Sequence, residues 1–233
     1  MSNANRHRDM LKQIAIALGE DLCQKMAFVG GCTTGLFITD DYTLEQVRHT
    51  DDVDLIVHTI GYNSFHELQV VLRSRGFKHR LIGNDPSCTM YWGELRVDFM
   101  PDDNTLGFSN RWYSQALASA TDYSLDDGIT IRLVTPVYFV ATKLEAYLGR
   151  GNKYPLGSQD IEDLLNLFNG RPALIDEIRQ ADVELRRYIA VQIQSLLDAS
   201  DFTDAVQDCA RNDRNQEAYI YERLEQVASW ATE

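Results

Sequence analysis

A short apolar run that carries two aspartates constrains this chain more than any other stretch. The run Asp52–Val57 begins with Asp52 and Asp54, which alternate with a valine. Its β-branched and apolar residues predict a β-strand, and because side chains alternate along a strand, both aspartates are expected on one face. Two neighbouring carboxylates repel each other, so the pair costs stability unless a proton or a cation lies between them. Since aspartate oxygens are ligands that Mg²⁺ prefers, the run predicts a metal-binding face.

A glycine pair precedes the two aspartates. Residues 25–29 predict a short strand that ends at Gly30 and Gly31. Glycine-rich turns before a helix let backbone N–H groups approach a phosphate closely, and residues 32–37 are predicted to begin such a helix. The turn is therefore a candidate phosphate-binding element.

A third aspartate follows on a predicted hairpin. Residues 88–92 and 95–100 flank a glycine turn and predict two antiparallel strands. Apolar residues alternate with polar ones in the second strand, so Asp98 is expected on the polar face of the sheet. Asp52, Asp54 and Asp98 together are the candidate ligands for Mg²⁺ or Mn²⁺.

Composition excludes several classes of protein. The 233 residues are enough for one substantial domain, or for a core domain with a helical appendage. The contents of 44% apolar and 24% charged residues are typical of a globular protein. A net charge of −13 argues against a general nucleic-acid binder, because nonspecific affinity comes mainly from neutralising phosphates. One basic cluster has two interpretations: a solvated surface, or a patch that guides a polyanionic acceptor such as RNA. Its members are Arg73, Arg75, Lys78, His79 and Arg80.

The cellular location is predicted from absences and from the cysteines. The sequence has no apolar run of about 18 residues that would span a membrane, and its first residues lack the apolar core of a secretion signal. The four cysteines are scattered and show no metal-ligand spacing, so they are predicted to be reduced thiols. These features predict a cytoplasmic protein.

Helices are predicted over most of the remaining chain. Pro136 predicts a helix start before residues 137–148, and Ser158 predicts the cap of the next helix. From Pro172 onward the apolar spacing predicts four helices and indicates no chemistry; they cover residues 173–180, 183–197, 202–210 and 217–230. A strand is predicted over residues 77–82 and a loop at residues 40–43.

The residues around the aspartate pair resemble a known motif. Nucleotidyltransferases of the DNA polymerase β superfamily, most closely those of the AbiEii/AbiGii toxin type, have a Gly-Gly turn followed by R-x-T-x-D-x-D. The matching residues are Arg48, Thr50, Asp52 and Asp54. Family members usually have a serine or threonine at the turn, where this chain has Cys32. Either Thr33 or Thr34 would then supply the hydroxyl that contacts phosphate.

A second motif of the toxin-type family, similar to K-x-x-A…D-x-x-D-L, is matched further along the chain. The matching residues are Lys143, Ala146, Asp160, Asp163 and Leu164. The resemblance implies that Lys143 lies near the triphosphate and that Asp160 pairs with the Lys143 side chain and orients it. Asp163 is the second candidate for this role. A simpler explanation stays open, because acidic residues are favourable at the positive end of a helix.

The resemblance implies a fold and an activity. The fold would be α/β (α+β), a mixed sheet flanked by helices, with residues 1–134 as the catalytic core and residues 135–233 as a helical region that completes the cleft. The enzyme would transfer a nucleoside monophosphate from an NTP, such as ATP, to a hydroxyl of tRNA, other RNA or protein. Asp52 and Asp54 would hold the metal, and Asp98 would complete a second metal position and assist deprotonation of the acceptor. Lys143 and Arg48 would balance charge on pyrophosphate, and an antitoxin would be the partner.

Two alternatives accompany this interpretation. The first is transfer to a small cationic molecule, as in aminoglycoside nucleotidyltransferases, which the acidic composition favours. The second is a noncatalytic module that binds nucleotide or a protein partner. Retention of all three strand carboxylates argues against the second, because an unused triad would be an electrostatic liability.

Overall fold

The contacts divide the chain into two compact units. The computed structural model describes residues 1–80, 85–107, 109–150 and 154–232. The sheet unit comprises Met1–Thr33 and His49–Thr135, and the helical unit comprises Thr34–Arg48 and Pro136–Glu233. Residues 34–48, which the sequence analysis assigns to the catalytic core, therefore pack with the later helices.

One mixed sheet forms the sheet unit. In the described part of the chain its strands are β1 (Met26–Val29), β2 (Asp52–Val57), β3 (Thr89–Trp92), β4 (Leu95–Pro101), β5 (Thr121–Ser124) and β6 (Thr130–Leu133). The strand order is β3-β4-β2-β1-β6-β5. The pairs β2/β4 and β1/β6 are parallel, whereas β1/β2, β3/β4 and β5/β6 are antiparallel. The expected α/β (α+β) fold with a mixed sheet is confirmed.

Helices account for most of the other described residues. They are α1 (Asn3–Leu18), α2 (Glu20–Cys23), α3 (Thr34–Phe37), α4 (Asp41–Leu44), α5 (Gly61–Ser74), α6 (Tyr113–Ala118), α7 (Pro136–Gly149), α8 (Gln159–Gly170), α9 (Leu174–Gln180), α10 (Val183–Leu197), α11 (Phe202–Cys209) and α12 (Arg214–Ala228). The predicted cap is present, since the Ser158 hydroxyl accepts a hydrogen bond from the Ile161 N–H. None of these helices has both the length and the apolar content that a membrane crossing requires.

Strand alternation places the core and the polar face of the sheet. Val53, Leu55, Val97 and Phe99 are fully buried, and the ring of Phe77 meets Phe99 edge-on at 5.5 Å. Burying each of these side chains stabilises the fold by roughly 1.5–3 kcal/mol. The aspartates of β2 and β4 occupy the alternate, partly buried positions, as the sequence pattern predicts.

Local contacts explain why residues 34–48 join the helical unit. The ring of Phe37 lies 4.9 Å from that of Phe139, and the backbone N–H of Thr39 donates to the Gly170 carbonyl. A Cβ on Gly170 would come within 2.8 Å of the Thr43 methyl group. This close approach requires glycine at the end of α8, so the segment and the helix fit each other.

Two local expectations are wrong, and one strand is missed. The loop expected at residues 40–43 includes the start of helix α4, because the Asp40 carboxylate accepts hydrogen bonds from Thr43 and caps it. The strand expected over residues 77–82 is reduced to one bridge, Lys78 to Tyr91; residues 81 and 82 lie outside the described ranges. Strand β5 was not expected, because its residues are mostly polar and exposed.

Candidate functional site

The register of two parallel strands brings three carboxylates together. Strands β2 and β4 pair so that Asp54 lies directly opposite Asp98, and Asp52 precedes Asp54 by two residues on the same face. One carboxylate oxygen of each aspartate lies within 4.8 Å of the corresponding oxygens of the other two. Three anionic groups this close repel one another and favour a cation among them.

Neighbouring side chains orient two of the three carboxylates. The Thr50 hydroxyl donates a short hydrogen bond to Asp52. Asp98 accepts from the Thr89 hydroxyl at 2.6 Å and from the Arg96 guanidinium at 2.9 and 3.2 Å. These hydrogen bonds with Asp98 raise the pKa of Arg96 from its ordinary value. Arg96 therefore offsets part of the negative charge and holds the Asp98 plane.

The glycine turn is fitted to the third carboxylate. Gly30 has φ +81°, and a Cβ there would lie 1.8 Å from Asp54 Oδ2, which no side chain could tolerate. The turn is closed by the Thr33 N–H and hydroxyl, which both donate to the Gly30 carbonyl, at 3.0 and 2.8 Å. The Asp54 carboxylate thus lies against a turn whose backbone only glycine permits.

The hydroxyls of Thr33 and Thr34 differ in their hydrogen bonds. The Thr33 hydroxyl is engaged with the Gly30 carbonyl, whereas the Thr34 hydroxyl is buried and makes no hydrogen bond to any residue in the described ranges. The thiol of Cys32, which stands at the family's hydroxyl position, donates to the His7 carbonyl at 3.6 Å. Cys32 is thus a buried structural side chain, and the unengaged Thr34 hydroxyl is itself fully buried.

The donor set fits a small divalent cation. Two oxygens bound to one Mg²⁺ at about 2.1 Å are at most about 4.2 Å apart, close to the 4.8 Å limit that the three aspartates satisfy. Hard carboxylate oxygens also suit Mn²⁺. Asp52, Asp54 and Asp98 are therefore able to hold such an ion after small side-chain shifts.

The helical unit contains a second group of charged residues, a buried ion cluster of Arg48, Lys143, Asp160 and Asp163. The Lys143 ammonium donates to Asp163 at 2.6 Å and to Asp160 at 3.2 Å. The Arg48 guanidinium donates twice to Asp163, at 3.1 Å each. The Asp163 side chain is fully buried. The exposed Arg150 guanidinium adds a third cation 3.4 Å from Asp160, so each aspartate of the cluster pairs with two cations.

The ion cluster shifts the pKa values of Lys143 and Asp163. Burial alone lowers the pKa of Lys143, but the charges of Asp163 and Asp160 outweigh it and the pKa is raised. Burial alone raises the pKa of Asp163, but Lys143 and Arg48 outweigh it and the pKa is lowered. Both shifts favour the charged forms, because a buried charge needs a partner.

The candidate residues from the sequence divide between the two units. The sheet unit holds Gly30, Gly31, Thr33, Thr50, Asp52, Asp54 and Asp98, and the helical unit holds Thr34, Arg48, Lys143, Asp160 and Asp163. Sequence reasoning missed Arg96 and Thr89 as partners of Asp98. Arg96 could have been found, since it shares a strand face with Asp98, but Thr89 depends on the register of the β3/β4 pair.

The basic cluster is largely paired. Arg75 donates twice to Asp21, at 2.9 and 3.0 Å. Arg80 forms an ion pair with Glu94 at 3.0 Å and lies 3.7 Å above the Tyr91 ring. Two of its three arginines thus have local partners, which reduces the charge available to a polyanion.

Comparison with models of known protein families and with curated proteins finds no match for this sequence. The geometry of the two groups of residues must therefore carry the functional interpretation. The aspartates of the sheet unit are the stronger of the two, because one carboxylate oxygen from each of the three lies within 4.8 Å of the others.

Proposed function

We propose that this protein is a nucleotidyltransferase that depends on Mg²⁺ or Mn²⁺. It transfers a nucleoside monophosphate from an NTP to an acceptor hydroxyl and releases pyrophosphate. The observation that carries the proposal is the convergence of Asp52, Asp54 and Asp98 beside a glycine turn. Ordinary sheet packing does not require three acids on one small surface, whereas a two-metal site for phosphoryl transfer uses acidic ligands placed in this way.

The side chains of the sheet unit have distinct parts in this reaction. Asp52 and Asp54 would hold a metal ion, Asp98 would complete a second position, and the bound metal would supply positive charge for the phosphates and the leaving group. Asp98 accepts the proton of the acceptor hydroxyl, whose oxygen bonds to the α-phosphorus as the bond to pyrophosphate breaks. Arg96 and Thr89 keep the Asp98 carboxylate in place. Backbone N–H groups at Gly30 and Gly31 support the phosphates.

Lys143 and Asp160 keep a predicted role. The resemblance assigns Lys143 to the triphosphate and Asp160 to its support, and the two side chains do form a buried ion pair at 3.2 Å. The Lys143 charge is balanced by two aspartates and that of Arg48 by Asp163. A phosphate would have to compete with these carboxylates for the two cations. We therefore propose that Lys143 and Arg48 balance charge on the pyrophosphate while they share Asp163 as a partner.

The acceptor is proposed to be RNA, tRNA or a protein, with an antitoxin as a further partner. A small cationic acceptor of the aminoglycoside kind is the second candidate, and one observation favours it. Arg75 and Arg80 are paired with acids in a chain of net charge −13, so the basic cluster offers RNA little free charge. Cytoplasmic action is proposed because NTPs are abundant there and because the four cysteines are free thiols.

A labelled-nucleotide assay tests the proposal. The protein is incubated with each α-labelled NTP and Mg²⁺, in separate reactions with total RNA, a protein extract and a panel of aminoglycosides. We expect label on one acceptor class with the unaltered protein and none with Asp54→Asn. Asp122→Asn is the matched control, because Asp122 is an exposed acid on β5 of the same unit.

Metal binding is measured separately by the electron paramagnetic resonance signal of free Mn²⁺. Loss of Mn²⁺ binding in Asp54→Asn but not in Asp122→Asn would support the metal site. Mn²⁺ and NTP binding without transfer to any acceptor would instead favour the noncatalytic module. Transfer that persists undiminished in Asp54→Asn would contradict the proposal.

A further inference from the structure

A cavity of about 220 Å³ opens into the helical unit, and its lining residues have no part in the proposed function. It lies among α8, α11, the short helix Pro155–Gly157 and the segment that contains Gln46. Its volume is below the roughly 300–1,000 Å³ of pockets for drug-sized ligands. A nucleoside triphosphate is therefore too large, and the ligand to consider is a smaller molecule.

Unsatisfied amide groups line this cavity. Asn166 is only 3% exposed, and its Nδ2 makes no hydrogen bond within the described ranges. Its Oδ1 accepts a long hydrogen bond from the Cys209 thiol at 3.9 Å, which leaves the nitrogen as the free end. Gln46 Nε2 is likewise buried without a partner among the described residues. Buried donors are nearly always satisfied, so two in one cavity indicate an acceptor on a ligand.

Charges of both signs lie at the mouth of the same cavity. Glu162, Asp208 and Arg211 are exposed lining residues. No ion pair joins them to one another or to other described side chains, unlike the paired charges of the nearby ion cluster. The cavity can therefore meet a negative group with Arg211 and a positive group with Glu162 or Asp208.

The remaining wall is apolar. Leu156, Leu165 and Ala205 line the cavity together with Pro155. Leu165 and Ala205 are buried, whereas Leu156 is 42% exposed. An aliphatic group in the cavity would cover this leucine.

We propose that the helical unit binds a free α-amino acid with an aliphatic side chain. The carboxylate accepts from Asn166, Gln46 and Arg211, the ammonium group pairs with Glu162 or Asp208, and the side chain packs against the leucines. This zwitterion satisfies both orphan amides and both signs of charge at once. The inference goes beyond the proposed function and uses none of its residues.

The test is calorimetric titration of the full chain with L-leucine, L-isoleucine, L-valine and L-methionine. Concentrations up to about 10 mM detect even millimolar affinity. We expect at least one to bind, and we expect L-leucinamide and 4-methylpentanoate, which each lack one charge of leucine, to bind at least about tenfold more weakly. L-leucinamide that binds as tightly as L-leucine would overturn the proposal that the ligand is a zwitterion.

Variants locate the binding. Asn166→Asp puts a negative charge against the ligand carboxylate, and Arg211→Gln removes a charge at the exposed mouth without disturbing the core. Each is expected to weaken binding about tenfold or more, whereas Arg187→Gln, an exposed arginine on α10 outside the cavity, is the matched control. Affinity unchanged in Arg211→Gln, or no binding by any of the four amino acids, would overturn the proposal. Asp54→Asn should bind normally, which separates this test from that of the proposed function.

Discussion

At the scale of single residues, Gly30 and Asp54 depend on each other. The carboxylate occupies the space that a side chain on Gly30 would need, and φ at Gly30 is +81°. Gly61 has a similar φ of +75° but nothing within 4 Å of the place of a Cβ. The two glycines therefore separate the cost of backbone strain from the cost of a clash with a candidate metal ligand.

We expect Gly30→Ala to lower the free energy of unfolding by about 3 kcal/mol or more and Gly61→Ala by about 1–2 kcal/mol. Strain at positive φ contributes to both values, whereas displacement of Asp54 contributes only to the first. Urea unfolding measures the stability, and Mn²⁺ titration should show weaker binding for Gly30→Ala alone. Equal effects of the two substitutions would show that the Gly30–Asp54 contact is unimportant.

Asp163 pairs with two cations of the helical unit. It accepts from Lys143 at 2.6 Å and from Arg48 at 3.1 Å, so its loss leaves two cations short of a partner. Removing one partner of a buried pair typically costs about 3–5 kcal/mol. Asp163→Asn is expected to destabilise the protein by that amount, measured by urea unfolding. Glu94→Gln, which breaks the exposed pair with Arg80, should have little effect.

The pH dependence of stability follows from the direction of the two shifts. The pKa of Asp163 is lowered in the folded state, so its contribution is present above the ordinary aspartate pKa and is lost as pH falls through the folded value. The pKa of Lys143 is raised, so its contribution is complete below the ordinary lysine pKa and is lost as pH rises through the folded value. Unfolding measured across acid pH should therefore show a smaller loss of stability in Asp163→Asn than in the unaltered protein.

At the scale of elements, one arginine closes the end of helix α8. Arg223 on α12 is only 8% exposed and donates to the carbonyls of Phe168, Arg171 and Pro172 at 2.7, 2.6 and 3.2 Å. The last carbonyls of a helix have no partner within it. Burial lowers the pKa of Arg223, yet the three acceptors keep the planar guanidinium in place. Lysine could not reproduce this geometry.

We expect Arg223→Met to lower the free energy of unfolding by about 3 kcal/mol, because buried carbonyls lose their donors at about 1–3 kcal/mol each and partial solvation recovers some of the loss. Arg187→Met, an exposed substitution on α10, controls for the change of charge. Arg223→Lys should be destabilised nearly as much. A fully stable lysine variant would show that charge, and not the fork of donors, closes the helix.

At the scale of the whole molecule, the charge is strongly unbalanced. A net charge of −13 makes the compact state repel itself. Salt screens such repulsion, since the Debye length falls from about 10 Å at 0.1 M to about 3 Å at 1 M. The ion cluster is buried and is therefore screened much less than the surface acids.

We expect the melting temperature to rise when NaCl is increased from about 0.05 to about 0.5 M at neutral pH. Each kcal/mol gained corresponds to roughly 2–4 °C for a chain of this size. The same series near the sequence pI of about 4.8 provides the control, because there the net repulsion vanishes. A melting temperature that falls with NaCl at neutral pH would show that surface ion pairs outweigh the repulsion.

Local patterns could be predicted wherever the physics is local. Period-2 alternation placed Asp52 and Asp54 on one face and Asp98 on the polar face of its hairpin strand. Period-3.6 spacing predicted the last helices, including α10 at its observed bounds. Ser158 was recognisable as a cap because its partner, the Ile161 N–H, is three residues away. Each of these depends on neighbours along the chain.

Contacts between distant segments could not be predicted in this way. Asp54 lies opposite Asp98 because of the register between β2 and β4. The sequence of neither strand specifies which strand it will pair with. Nothing in the residues around Arg48 predicts that its guanidinium donates to Asp163, 115 residues away. Such contacts are decided by the packing of the whole unit, because they close long loops that local preferences do not sense.

The sequence by itself determined the chemistry available to this protein: three strand-borne aspartates, a glycine turn and a Lys-Asp motif, because residue type and alternation are local properties. Only the tertiary structure decided which of these groups meet. Parallel pairing of β2 with β4 gathered the carboxylates within 4.8 Å, and the packing of α7 with α8 buried Lys143 between two aspartates. Packing among α8, α11 and the segment that contains Gln46 left two amide nitrogens without a partner in the described residues. Several segments form the walls of this cavity, so no single one determines its shape.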